Sequence, residues 1–215
     1  MTSSMRSKIK TLFFLALVLL ALAAFRQDTS NAYPGVKFSK DGQEMQFPQD
    51  YREWVYLSTG FNMSYNPDAL AAQAAGHSMF DNVFVEPAAY KAFLKTGTWP
   101  DKTMFVLEVR SSETNNSINK HGSSQGEVMG LEVHVKDEAR FPGKWAFFGS
   151  NDGKIGKGFP QDATCYTCHQ AHGAVDTTFV QFYPTLMPIA KAKGTLSAAY
   201  LNDEKDAAAA APAKK

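Results

Sequence analysis

The stretch Val128-Met129-Gly130-Leu131-Glu132-Val133-His134-Val135-Lys136 decides the fold. Met129, Leu131, Val133 and Val135 fall on one side of a period-two pattern, and Glu132, His134 and Lys136 on the other. That is a β-strand with one apolar and one polar face, and the polar face reads as solvated. Working outward, Met104 to Ser111 alternates the same way, with Phe105, Leu107 and Val109 opposite Glu108 and Arg110. Trp54 to Thr59, Met79 to Glu86 and Trp145 to Gly149 read as further strands, the last entered through Pro142-Gly143. Pro87 at a first helical position, Ala88 to Lys95 and then Gly97 give a short helix with matching start and stop signals. Ser111 to Gly126, rich in Ser, Asn and Gly, reads as a loop. Asp162 is placed to cap a helix running to Gly173, and Asp176 or Thr177 to start another carrying Phe179, Phe182 and Tyr183. The fold class is therefore α+β, mainly an antiparallel sheet with a few helices.

The N-terminus sets the compartment. Arg6, Lys8 and Lys10 precede an apolar run from Thr11 to Ala24, and Ala21-Leu22-Ala23 offers a small-residue cleavage site. Residues 1–23 read as a secretory signal peptide, and the apolar run falls short of the ~20 residues of a membrane span. An uncleaved anchor is the alternative, and either way the remainder is exported, which implies the periplasm. Residues 24–45 read as a loose arm, 46–192 as one domain and 193–215 as a flexible Ala/Pro/Lys tail. Removing the leader turns the formal charge of +1 into a balance of 19 Lys and Arg against 21 Asp and Glu. That balance argues against a nucleic-acid partner.

The two cysteines both lie in Cys165-Tyr166-Thr167-Cys168-His169, a C-x-x-C-H stretch. Helical spacing puts both sulfurs on one stripe, where each can add to a porphyrin vinyl group, and His169 projects from the same side toward the iron. This pattern implies one covalently attached haem c with His169 as an iron ligand. Three alternatives exist. A thiol–disulfide site calls for a βαβ context that does not precede Cys165. Zinc held by Cys165, Cys168, His169 and His172 calls for four ligands from one short helix, which cannot surround a metal tetrahedrally. A plain local disulfide is the third. For the second axial position the candidates are His77, His121, His134, His172, Met63, Met79, Met104, Met129 and Met187. His172 shares the helix with His169 and cannot reach the opposite side of the same iron. None of the others stands out, and an empty or water-occupied position stands beside them.

Several stretches together resemble the cytochrome P-460 family, which includes the cytochromes c′-beta. They are Tyr51-Arg52-Glu53-Trp54-Val55, and Val83-Phe84-Val85-Glu86-Pro87 followed by Tyr90 and Thr96-Gly97. Next come Gly130-Leu131-Glu132, Val135-Lys136-Asp137, Arg140-Phe141 and Trp145-Ala146-Phe147, and last Cys165 to His169 with Asp176, Phe179 and Phe182-Tyr183-Pro184. The resemblance implies an antiparallel-sheet haem fold, a homodimer, a five-coordinate haem with His169 proximal, and Glu132 as a distal carboxylate. Phe179 is expected over the haem edge, and Phe61 is a weaker candidate for the distal cap. Family members that oxidise hydroxylamine carry a lysine crosslinked to the porphyrin, and the matching position here is Leu107. They also tend to carry an arginine near Phe80 to Asn82, which this chain lacks. Three functions follow as expectations: binding of nitric oxide or a similar small gaseous or nitrogenous ligand at a vacant site, electron transfer to a redox partner through a six-coordinate haem, and hydroxylamine oxidation.

Overall fold

The computed structural model describes residues 36–64 and 78–210. The leader, the first part of the arm, His77 and the last five residues lie outside the described residues.

The period-two stretches pair as one seven-stranded antiparallel sheet. Its strands are β1 (Glu44–Gln46), β2 (Val55–Phe61), β3 (Met79–Val85), β4 (Met104–Glu113), β5 (Ser124–Lys136), β6 (Trp145–Ser150) and β7 (Ile155–Gly158), in the order β1-β7-β6-β5-β4-β3-β2. β4 and β5 are longer than their alternation indicates, so the loop expected over Ser111 to Gly126 shrinks to residues 114–123. The pairing takes in polar residues because ladder bonds are made by backbone, whatever the side chain.

Among the described residues there are four helices: α1 (Pro87–Thr96), α2 (Thr164–His172), α3 (Met187–Lys193) and α4 (Ala198–Ala210). α1 starts where Glu86 accepts from the Ala88 and Ala89 amides, both at 2.9 Å, and stops at Gly97 with φ 75°. Asp162 does not cap α2; Ala163 occupies that position without a side-chain bond. No helix starts at Asp176 or Thr177. A 3₁₀ turn at Val180–Phe182 comes first, and α3 begins at Met187. Among the described residues no helix is long and apolar enough to cross a membrane.

One face of the sheet packs on the helices through Leu57, Val85, Phe93, Trp99, Phe105, Trp145 and Leu186. The other face, with Val106, Val133 and Phe148, is covered by the segment from Phe38 to Tyr51. Two expectations change here. The arm is not loose at its end, since Met45 is fully buried and Phe38 lies 5.8 Å from Phe148, ring centre to ring centre. The tail is helical over 198–210, because Ser197 Oγ accepts from the Tyr200 amide at 3.0 Å, Tyr200 is buried, and alanine favours helix.

Covering both faces also corrects the reading of β5. Glu132, His134 and Lys136 face the helices, not solvent, and His134 and Lys136 are 9% and 5% exposed. Met129, on the face read as apolar, is 65% exposed where the pairing of β5 with β4 shifts register. Glu108, on the polar side of β4, is buried at 1% exposure beneath Tyr51.

Candidate haem-binding site

α2 carries Cys165, Cys168 and His169 along one stripe, with both thiols half-buried and not joined to each other. Tyr166 seats the helix on the sheet. Its hydroxyl accepts from the Phe147 amide at 3.3 Å, and its ring meets Phe147 edge-on at 5.0 Å. At the end of α2, a Cβ on Gly173 would lie 2.7 Å from the His169 carbonyl oxygen, so the chain turns back tightly. The residues that follow form the support for His169.

That support is a chain of buried hydrogen bonds. Trp99 Nε1 donates to Thr178 Oγ1 at 2.8 Å, and Thr178 Oγ1 donates to the Val175 carbonyl at 2.8 Å. Lys136 Nζ donates to the Trp99 carbonyl at 2.8 Å and to Asp176 Oδ2 at 3.1 Å. Asp176 sits at φ 55°, a left-handed conformation that aspartate tolerates better than most residues. The turn aims the Thr177 carbonyl at His169, whose Nδ1 lies 2.7 Å away and donates to it. With its proton committed there, the neutral imidazole keeps Nε2 as a free ligand atom. Burial also pulls His169 below the ordinary histidine range, favouring the neutral form, although the Thr177 contact opposes this.

A cavity of about 260 Å³ lies between the sheet and this helical segment. His169, Leu107, Glu132 and Phe179 all line it, so four residues far apart in sequence share one space. Phe179 is half-buried, with its ring centre 4.1 Å from that of His169. His134 also lines the cavity, stacked on Phe147 at 4.0 Å and edge-on to His169 at 5.0 Å. Burial holds Glu132 above the ordinary carboxylate range, with the charge of Asp81 adding to it. Cys165 is pushed up mainly by its own burial, with the Glu132 charge a smaller cause, so the thiol and the carboxylate share one region.

Asp81 is the residue that sequence reasoning missed. It lies on the cavity side of β3, where burial raises its carboxyl as well. Its only sequence signal is its period-two relation to Val83. The Thr177 carbonyl has no signal at all, since any residue supplies one.

The other candidates separate by position. Phe61 does not line the cavity; it packs on Phe80 at 4.6 Å and is 47% exposed. Met104 is buried on the far face, Met187 belongs to the helix-side core, and Met79 and Met129 are exposed. His172 Nδ1 pairs with Asp203 at 2.7 Å, and His121 is exposed in loop 114–123. Among the described residues, Met63 and His134 are the two candidates that line the cavity. Among the described residues no three His, Cys, Asp or Glu side chains are placed to hold a metal ion, so the tetrahedral zinc arrangement is not assembled.

These residues fit a haem. Two thiols and a histidine share one helix stripe, the histidine's second nitrogen is held by a carbonyl, and the adjoining cavity has aromatic and aliphatic walls. No curated protein matches the chain. The model of the family described as Cytochrome P460 matches residues 48–180, more than half of the chain, with β2 to β7 and Cys165, Cys168, His169 and Phe179 inside the match, and the chain belongs to that family.

Proposed function

We propose that the protein is an exported, periplasmic c-type cytochrome with one haem bonded through Cys165 and Cys168. In this reading His169 is the iron's protein ligand, and the cavity beyond takes nitric oxide or a similar small ligand. The observation that carries it is His169 itself: Nδ1 is committed to Thr177, and the ring borders a cavity that Leu107 and Glu132 also line. When bound, the haem supplies an iron with a coordination position for a ligand. The chain's residues orient the imidazole, exclude bulk water with Phe179, Phe182 and Tyr183, and shape the ligand space. No lysine lines the cavity among the described residues, which favours ligand binding over the chemistry of a crosslinked haem.

An electron carrier with a six-coordinate haem is the second reading, favoured by Met63 and by the buried His134 on the cavity wall. The spectrum of the ferrous protein, produced with a cytochrome c maturation system, tests both. A high-spin spectrum that converts on adding nitric oxide is the expected result. A low-spin spectrum abolished by Met63→Ala or His134→Ala replaces this reading with the second. A band strongly shifted to the red, with hydroxylamine turnover, replaces it with an enzyme.

The support behind His169 makes a separate prediction. Lys136→Met removes the donor to the Trp99 carbonyl and to Asp176 while keeping most of the side-chain volume. The Thr177 carbonyl is then less firmly placed, the imidazole becomes a weaker donor to iron, and the reduction potential rises. Lys136→Arg, which keeps the charge, is expected to move it less. Equal potentials in all three proteins reject the role.

A further inference from the structure

The outer side of α1 carries Lys91, Leu94 and Lys95, which helical spacing places on one stripe. Both lysines are exposed, and Leu94 between them is 39% exposed, on a helix that buries Ala89 and Phe93 on its other side. α1 ends against the end of α3. A Cβ on Gly97 would lie 2.7 Å from Lys193 Cβ, and Thr195 Oγ1 donates to the Gly97 carbonyl at 2.7 Å. Lys191 and Lys193, exposed in the last turn of α3, therefore join Lys95 in the last turn of α1. Among the described residues none of these four lysines meets a carboxylate. The negative ends of the two helix dipoles offset roughly one unit of their charge. The rest is a local excess, since the chain as a whole holds 22 Lys and Arg against 21 Asp and Glu.

Beneath this patch, packed rings reach back to the haem cavity. Phe105 lines the cavity, Trp99 meets it edge-on at 4.8 Å, and Phe93 of α1 lies 4.2 Å from Trp99, ring centre to ring centre. Each distance is one of direct ring contact, so touching atoms run from the cavity wall to the helix that carries Lys91 and Lys95. Electrons tunnel faster through touching atoms than across gaps or water. Above the rings, an apolar side chain set among like charges suits a short-lived complex, in which the charges steer a partner and the apolar contact seats it.

We propose that this face of α1 and α3 docks an acidic one-electron carrier protein that reduces the haem. The carrier gives up one electron and is oxidised, the ferric iron becomes ferrous, and no bond is made or broken. This rests on the haem reading above and adds the route by which the iron is kept in the ferrous form.

The test mixes the haem-loaded ferric protein with reduced plant-type ferredoxin, an acidic iron–sulfur carrier, and follows haem reduction by stopped-flow absorbance at several salt concentrations. The wild type is expected to react fastest at low salt and to slow as salt rises. Lys91→Gln, Lys95→Gln, Lys191→Gln and Lys193→Gln combined are expected to lower the low-salt rate at least about tenfold and to flatten its salt dependence. Lys91→Arg, Lys95→Arg, Lys191→Arg and Lys193→Arg combined keep the charge and are expected to keep the rate. Hexaammineruthenium(II), a small cation, is expected to reduce the wild type and the glutamine variant at similar rates. Equal ferredoxin rates and salt dependence in those two proteins overturn the proposal. An equal fall with both reductants also overturns it, because the change then lies at the haem and not in docking. Absence of covalent haem from the wild type overturns the haem reading instead.

Discussion

Replacing Cys165 and Cys168 together with alanine is expected to remove every trace of haem retained through denaturing electrophoresis, whereas the wild type keeps it. The two sulfurs are the only thiols in the chain, so no other attachment through sulfur exists. A single replacement leaves one possible bond and partial retention. The double variant is also expected to lose stability, because a haem tethered to the chain remains on it when it unfolds but buries its apolar surface and meets His169 only in the native state. The cavity of about 260 Å³ would lose a permanent occupant, and its aromatic walls would face water. Thermal unfolding followed by circular dichroism measures that loss. Haem retained by the double variant, or lost by the wild type, rejects covalent attachment through this pair.

The second large effect lies on the opposite face of the sheet. Glu108, at 1% exposure, accepts from Tyr51 Oη, from Arg110 Nε at 2.5 Å and from Asn82 Nδ2 at 3.3 Å, with Arg52 also at 2.5 Å. Glu108→Ala leaves these donors without their acceptor and is expected to cost about 3 kcal/mol, the low end for breaking a buried pair because Arg52 is half-exposed. For a domain of this size that corresponds to a fall of roughly 6–12 °C in Tm. Burial alone would push the Glu108 carboxyl up, but the hydrogen bonds from Arg110 and Tyr51 and the charges of Arg110 and Arg52 outweigh it and hold it below the ordinary range. On Tyr51 burial and the same contact act together, pushing the phenol up to about 12. A carboxyl held down in the fold adds stability above its unfolded value of ~4.3 and loses it as pH falls through the lower folded value. The wild type should therefore lose this contribution below about pH 4, and Glu108→Gln should show a shallower acid limb. Equal acid limbs in denaturant titrations would show that Glu108 does not titrate below its unfolded value.

The strands were legible wherever side chains alternate, and β4 and β5 were placed within a few residues by Phe105, Leu107, Val109 and by Leu131, Val133, Val135. β1 and β7 were not, because three or four residues such as Ile155-Gly156-Lys157-Gly158 carry too little pattern; their pairing comes from the neighbours they dock against. α1 was legible through Glu86, Pro87 and Gly97, which act on the backbone next to them. α4 was misread because its composition suits both a solvated tail and a helix, and burial of Tyr200 decides between them.

The same division runs through the site. Cys165, Cys168 and His169 were readable from sequence because their chemistry depends on spacing within one helix, a local property that short-range geometry fixes. The sequence by itself determined that stripe and the period-two faces of the sheet. Which face is wet was decided only by tertiary structure: α2 and the residues after it cover Glu132, His134 and Lys136, while Phe38 to Tyr51 cover Glu108. Strand alternation tells two faces apart but carries no information on what will pack against either, since that depends on segments distant in the chain. The meeting of Asp81 with Glu132, and of the Thr177 carbonyl with His169, belongs to tertiary structure for the same reason.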